Sequence, residues 1–143
     1  MTVKDILSKK GSQVLTIEPA ATLAAAVKML AQRRIGALVV TGADHRIVGI
    51  ISERDIVRVL GENGTAALDS PVAEVMTRKV VTCGQAETIA EIMERMTGGK
   101  FRHVPVVEQG RLAGIISIGD VVKARLGELE HEQDALCQYI RTA

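Results

Sequence analysis

An internal repeat constrains the fold of this chain more than any other feature of its sequence. Residues 49–57 read GIISERDIV and residues 114–122 read GIISIGDVV, so six of nine positions are identical 65 positions apart. Residues 16–40 correspond to residues 82–106 at a separation of 66 positions. A chain of 143 residues with this period is predicted to fold as two similar units. Units of about 60 residues are marginally stable alone, so we expect the two repeats to share a buried interface.

The repeat divides the chain into four segments. The first repeat is predicted over residues 1–61 and the second over residues 72–127. Residues 62–71 read ENGTAALDSP, and the glycine, asparagine, serine and proline in this stretch indicate a connecting linker. Residues 128–143 are predicted to form a C-terminal helical tail.

Each repeat carries the same order of predicted elements, β-α-β-β-α. A short strand is followed by a threonine that can cap a helix, and apolar residues in that helix recur at spacings of three and four. Two apolar runs without alternation then predict strands covered on both faces, and a second helix begins at Ser52 or Ser117. The predicted fold is an α/β protein, an α+β sandwich of two tandem repeats with an added C-terminal helix. The predicted strands lie at residues 14–17, 37–40 and 47–51 in the first repeat and at 80–83, 104–107 and 112–116 in the second.

The sharpest chemical signal is a serine and an aspartate three residues apart, directly after Gly-Ile-Ile in both repeats. The pairs are Ser52 with Asp55 and Ser117 with Asp120. One interpretation is structural, because a serine and an acid at this spacing form a capping box at a helix start. The other is functional, because the free N–H groups of a helix start attract phosphate and a carboxylate there can accept hydrogen bonds from ribose. Both interpretations can hold together.

Two β-α-β-β-α repeats that each contain Gly-hydrophobic-hydrophobic-Ser-x-x-Asp resemble the pair of CBS domains named after cystathionine β-synthase. The resemblance covers about residues 3–126. It implies a regulatory module, not an enzyme, that binds adenosine-containing ligands between its repeats and senses energy or redox nucleotides. AMP is the first candidate ligand, and NAD, ADP, ATP and S-adenosylmethionine are the others. The output would pass through an effector protein, which the sequence does not identify, or through oligomeric state.

The resemblance also implies two ligand sites. In each site the aspartate would hold the ribose, the serine would face the phosphate, and aliphatic residues of two strands would enclose the adenine. The first predicted site consists of Thr16, Ile17, Gly36, Ala37, Leu38, Val39, Ser52, Arg54 and Asp55. The second consists of Thr82, Cys83, Arg102, His103, Val104, Pro105, Ser117 and Asp120.

The two predicted sites differ in positive charge. Arg102 and His103 match the basic residues that precede a hydrophobic-proline pair in the family, whereas the first repeat has a glycine and an alanine at these positions. The resemblance therefore predicts that the site of Asp120 holds phosphate more tightly, with Arg54 as the first candidate for a phosphate contact in the other site. The alternative is that Arg102 is a solvated surface charge and His103 a packed strand residue.

Composition argues against several other classes of protein. The chain has 18 Lys and Arg against 17 Asp and Glu and only two aromatic residues, Phe101 and Tyr139, which disfavours nucleic acid and anionic membrane as partners. No group of residues is typical of a catalytic or metal site. Two cysteines, a polar amino terminus and the lack of a long apolar run favour a cytoplasmic protein with reduced thiols.

The tail offers a surface for another helix. Spacings of four and three residues alternate along Val122, Leu126, Leu129, Gln133, Leu136 and Ile140. This pattern is the seam of a helix pair, and it can fold back on its own module or join two chains. Because similar modules dimerise, we expect a homodimer. The main alternative to a ligand-binding module is an interaction scaffold whose clefts bind no ligand, and an enzyme comes third.

Overall fold

The computed structural model describes residues 1–142, and the elements follow the predicted order except for the strand predicted at residues 80–83. The helices are α1 (Val3–Lys10), α2 (Leu23–Arg33), α3 (Glu53–Asn63), α4 (Val72–Val75), α5 (Ile89–Gly99) and α6 (Ile118–Thr142). The strands are β1 (Thr16–Ile17), β2 (Ala37–Thr41), β3 (Ile47–Ser52), β4 (His103–Glu108) and β5 (Arg111–Ser117). The predicted mixed fold of sheet and helices with a C-terminal helix is confirmed.

Each repeat is built around one antiparallel strand pair, β2 with β3 and β4 with β5. In the first repeat β1 joins β2 in parallel, whereas the strand predicted at residues 80–83 is reduced to one bridge between Cys83 and Val106. The amide of Cys83 donates to the carbonyl of Pro105 and the amide of Val107 to the carbonyl of Cys83. Pro105 has no N–H to donate, so the parallel ladder cannot extend toward residue 81. The proline therefore explains why the second sheet has two strands and the first has three.

The two repeats exchange their leading helices. Val3 and Leu7 of α1 precede the first repeat in the sequence, yet they are buried in the core of the second repeat. Val72 of α4 and Met76 after it are buried in the core of the first repeat. The exchanged core residues of the two leading segments are Val3, Ile6, Leu7, Val72, Val75 and Met76. Because each core is completed by the other repeat, the shared interface that the sequence predicts is formed by this exchange.

The repeated glycine of Gly-Ile-Ile lies beneath the exchanged segments. A Cβ atom at Gly114 would lie 2.7 Å from Cδ2 of Leu7. At the equivalent Gly49 it would lie 2.5 Å from Sδ of Met76 and 3.0 Å from the carbonyl oxygen of Thr77. The distances of 2.5 and 2.7 Å are shorter than those that real Cβ atoms adopt. The glycine thus permits close packing between the repeats, and this packing places Thr77 next to the start of α3.

The last helix is continuous with the predicted tail. α6 extends over 25 residues, or about 37 Å, and it passes through Gly127 without a break. Of its side chains only Val121 is buried, and those beyond Glu128 are exposed. Among the helices of residues 1–142, none has the length and apolar character needed to cross a membrane.

Candidate ligand-binding cleft

The start of α3 carries the predicted capping box. The side-chain oxygen of Ser52 accepts a hydrogen bond from the amide of Asp55 at 3.3 Å. In return, Oδ2 of Asp55 accepts hydrogen bonds from the amide and the hydroxyl of Ser52 at 3.1 and 3.0 Å. The structural interpretation of this motif is therefore confirmed in the first repeat. Asp55 is only 5% exposed, so its carboxylate is held in a fixed position at the helix start.

Two further donors reach the carboxylate of Asp55. The hydroxyl of Thr77 lies 3.2 Å from Oδ1, and Nη2 of Arg58 lies 3.3 Å from the same oxygen. Thr77 is brought there by backbone pairing with Ile50, in which each amide donates to the other residue's carbonyl at 2.9 Å. Sequence reasoning missed Thr77 because its position depends on the exchange of the leading helices. Residues 3–7 read VKDIL and residues 72–76 read VAEVM, and this similarity indicates that the segments are equivalent. It does not show which core each one joins.

A cleft of about 510 Å³ opens where the start of α3 faces the second repeat. Its polar lining from the first repeat includes Ser52, Glu53, Arg54, Asp55 and Arg58. The second repeat contributes the cationic side chains Lys79, Lys100 and Arg102, together with His103. Five Lys and Arg side chains therefore face two carboxylates, so the cleft has a local excess of positive charge in a chain that is nearly neutral overall.

Arg102 and His103 are grouped differently in the structure than in the sequence-based prediction. Both line the cleft of Asp55, whereas the prediction grouped them with Asp120; His103 also pairs across the sheet with Ser117, and the charge of Asp120 acts on its ring. The segments that precede β2 and β4 meet at the interface of the repeats, where a Cβ atom at Gly36 would lie 3.2 Å from the ring of His103. The basic segment of the second repeat thus faces the helix start of the first. The role of both residues in ligand binding stays a prediction.

The predicted aliphatic walls lie elsewhere. Seven residues of the two predicted sites are buried in the cores: Ile17, Ala37, Leu38, Val39, Cys83, Val104 and Pro105. Thr16 is exposed on β1, and the carbonyl of Thr82 accepts a hydrogen bond from Arg95. The apolar lining of the cleft comes instead from Ile50, Val80, Val81 and Phe101. Burial raises the pKa of the Cys83 thiol to about 11, so this cysteine is an unreactive core residue.

The carboxylate at the helix start of the second repeat is paired with an internal cation. Nζ of Lys10 lies 2.6 Å from Oδ2 of Asp120 and donates to the carbonyl oxygen of Ile115 at 2.9 Å. Ile115 is equivalent to Ile50, whose carbonyl accepts the amide of Thr77. The amide of Ser117 also donates to Asp120, so the capping geometry recurs here. An ammonium group therefore occupies the side of Asp120 that corresponds to the open cleft of Asp55.

The ionisation of two groups follows from this arrangement. Desolvation raises the pKa of Asp120, but the hydrogen bonds from Lys10 and Ser117 outweigh it and hold the pKa below 3.8. Burial lowers the pKa of His103, and the ammonium of Lys10 lowers it further. His103 is thus neutral at neutral pH and contributes a hydrogen-bonding ring to the cleft, while the cationic charge comes from the Lys and Arg side chains.

The ion pair of Asp120 predicts a particular loss of stability in acid. Because the folded-state pKa is depressed, the stabilisation is complete well above pH 3.8 and is lost as the pH falls through the folded-state value. We expect the difference in unfolding free energy between wild type and Asp120→Asn to shrink between neutral pH and about pH 3. Urea denaturation at a series of pH values measures this difference. A difference that stays constant over that range would show that the ion pair is not formed.

The fold and cleft together define a class of protein: a tandem module of two exchanged β-α-β-β-α repeats with a polar cleft at their interface. The chain belongs to the CBS-domain family, since the model of the CBS domain matches residues 3–62 and 72–127. As a class, paired CBS domains are nucleotide-binding regulatory modules rather than catalysts.

Known relatives support this assignment over most of the chain. A CBS-domain containing protein from Agrobacterium tumefaciens has a solved structure with 51% identity and a TM-score of 0.85, covering 87% of this chain and 99% of that one. The chain is also 33% identical to CBS domain-containing protein CBSX3, mitochondrial, of Arabidopsis thaliana, over 98% of this chain and 72% of the relative.

Two similar solved structures contain adenosine ligands. A CBS domain protein from Pyrobaculum aerophilum is complexed with AMP; it is 28% identical with a TM-score of 0.75, covering 84% of this chain and 89% of that one. The CBS domain pair of protein MJ0100 is in complex with 5'-methylthioadenosine and S-adenosyl-L-methionine. It is 28% identical with a TM-score of 0.79, covering 90% of this chain and 98% of that one.

Proposed function

We propose that the chain is a regulatory module that binds an adenine nucleotide, AMP first, in the cleft of Asp55. The observation that carries this proposal is the meeting of a buried carboxylate at a helix start with a cationic wall from the other repeat. The cleft has a volume of about 510 Å³, which is within the range typical of small-molecule sites. The adenosine ligands of two relatives support the ligand class.

The ribose would bind at Asp55. A carboxylate accepts about four hydrogen bonds. The carboxylate of Asp55 accepts hydrogen bonds from Ser52, Thr77 and Arg58. Arg58 is the weakest of these donors, because its side chain is 61% exposed and its distance of 3.3 Å is long for a charged pair. A ribose hydroxyl therefore replaces Arg58 while the two internal donors keep the carboxylate in place.

The phosphate would bind between the two walls of the cleft. The start of α3 carries the partial positive charge of a helix N-terminus, and Arg54 and Arg102 border the cleft from opposite repeats. Arg54 also donates to the carbonyl of Lys100 at 3.3 Å, so ligand binding here would join the two repeats. The apolar lining by Ile50, Val80 and Val81 offers an aliphatic surface for the base.

The proposed role of the module in signalling follows from the class of its ligand. Binding of a cellular nucleotide lets the module sense energy or redox state, and the signal passes to an effector protein or through a homodimer. Two free thiols, Cys83 and Cys137, support a reducing compartment such as the cytoplasm. The second candidate is an interaction scaffold that binds no nucleotide, and the exposed apolar face of α6 favours it.

A melting-temperature screen separates these functions. Protein shown by mass spectrometry to be free of ligand is heated with AMP, ADP, ATP, NAD or S-adenosylmethionine, and GMP serves as the control. At about 100 times the dissociation constant a bound ligand adds roughly 2.7 kcal/mol of stability, so the melting temperature should rise by several degrees with at least one adenine ligand. If none of the five ligands raises it, the nucleotide proposal is wrong and the scaffold remains.

A further inference from the structure

One face of α6 is apolar and uncovered along most of the helix. Five apolar side chains of this face are between 42% and 65% exposed: Val122, Leu126, Leu129, Leu136 and Ile140. With Gln133 they form the α6 seam, which has the spacing of a helix pair. Exposed apolar residues in one contiguous line indicate an interaction surface rather than ordinary surface composition. The first turns of α6 pack on their own module through Val121 and Ala124, but the module leaves the α6 seam uncovered.

A groove lies next to the first half of this seam. It has a volume of about 890 Å³ and lies between α1 and α6. Its apolar lining comes from Met1 and Ile6 on one side and from Val122, Ala124 and Leu126 on the other. Gly119 at the start of α6 leaves the end of the groove free of a side chain. The charged residues that line it are Lys9, Lys10, Asp120, Lys123 and Glu130. The groove thus offers an apolar strip that is bordered by charged side chains and continuous with the α6 seam.

The charges beside the α6 seam change sign along the helix. Lys123 and Arg125 flank its first half, where Arg125 also pairs with Glu128 of its own helix at 2.7 Å, whereas Glu130 and Glu132 flank its second half. Two such helices in opposite directions bring each basic half against an acidic half. A twofold interface requires this kind of self-complementarity, because the same surface contacts itself. The charge pattern therefore points to a second molecule of this chain as the occupant of the seam.

We propose that the α6 helices of two molecules pair in an antiparallel manner about an axis near residues 127–128. Leu126 then packs against Leu129 of the partner subunit. Lys123 faces Glu130 of the partner subunit, and Arg125 faces Glu132 of the partner subunit. The end of the partner helix enters the groove between α1 and α6. This deepens the homodimer of the proposed function, and it does not depend on nucleotide binding.

A parallel pair would use the same seam less completely. In that orientation Arg125 faces Glu130 of the partner subunit, but Lys123 is left without an acidic neighbour. The ends of the two helices would also point away from both grooves, so the groove beside α1 would gain no cover. The antiparallel pair uses all four charges and both grooves, which is why the geometry favours it.

Light scattering of four proteins tests the pairing. Wild type at micromolar concentration is expected to be a dimer, and the double variant Lys123→Glu/Arg125→Glu is expected to have half its molar mass. Adding Glu130→Lys and Glu132→Lys to that variant exchanges all charges and should restore the dimer. The fourth protein, Glu130→Lys/Glu132→Lys, should dimerise only when mixed with the first double variant. Circular dichroism of each variant checks that the fold is intact.

The orientation is tested by disulfide formation in a Cys137→Ser background. A mixture of Val122→Cys and Gln133→Cys proteins should link as a heterodimer, because these positions face each other across the proposed axis and lie about 16 Å from their own copies along the helix pair. Self-linking of each protein alone would show a parallel pair and overturn the proposal, as would a monomeric wild type. The melting-temperature screen repeated on the Lys123→Glu/Arg125→Glu variant keeps the two proposals separate, because its nucleotide response should match that of wild type.

Discussion

Replacing Gly49 with alanine is expected to lower the free energy of unfolding by about 3 kcal/mol, the upper end of the range for overpacked cores. The new Cβ atom would lie 2.5 Å from Sδ of Met76 and 3.0 Å from the carbonyl oxygen of Thr77. Met76 could turn away, but the backbone of Thr77 cannot move without losing its two hydrogen bonds to Ile50. The substitution should therefore also withdraw the Thr77 hydroxyl from Asp55 and weaken any ligand bound there.

Gly61→Ala is the matched control for this variant. Gly61 lies in α3, and no atom lies within 4 Å of the position of its Cβ atom. Alanine is a better helix former than glycine, so the free energy of unfolding of this variant should rise by about 0.5–1 kcal/mol. Urea denaturation of wild type and both variants measures these free energies of unfolding. Equal stabilities for Gly49→Ala and Gly61→Ala would show that the leading helices are not exchanged as described.

Replacing Arg102 with alanine is expected to weaken AMP binding by about 10- to 100-fold. The reason is the loss of a hydrogen bond to a charged phosphate, which contributes roughly 1.5–3 kcal/mol. The loss should be larger at low salt, because Arg102 is exposed and its charge is screened by ions. Equilibrium dialysis with AMP measures the affinity.

Arg111→Ala is the control for the loss of positive charge. Arg111 is also an exposed arginine of the second repeat, but it begins β5 and does not line the cleft. Its replacement should leave the affinity for AMP unchanged. If the two variants weaken AMP equally, the effect comes from net charge and Arg102 makes no specific contact.

The local features of the fold could be predicted from the sequence because they depend on residues close together in the chain. The repeated Ser-x-x-Asp predicts the helix starts at Ser52 and Ser117, and both capping arrangements are present. The apolar runs predict the four strands of the two antiparallel pairs. The periodicity after Val122 predicts a helix with one apolar face, and α6 has it.

The features that depend on contacts between the repeats could not be predicted in the same way. The sequence shows that residues 3–7 and 72–76 are equivalent, but it does not show that each completes the other repeat's core. That exchange places Thr77 beside Asp55 and Lys10 beside Asp120. It also pairs the carboxylate of Asp120, but not that of Asp55, with a lysine from the exchanged leading helix. The prediction grouped Arg102 with Asp120 of the same repeat, whereas Arg102 lines the cleft of Asp55.

The most direct test of a nucleotide site at Asp55 is a calorimetric titration of AMP into ligand-free wild type, Asp55→Asn and Asp120→Asn. The predicted result is one site per chain in wild type, the same site in Asp120→Asn, and at least about tenfold weaker binding in Asp55→Asn. The expectation from sequence alone is the reverse, with the tighter site at Asp120. A site that survives in Asp55→Asn and disappears in Asp120→Asn, or two equal sites in wild type, would contradict the account.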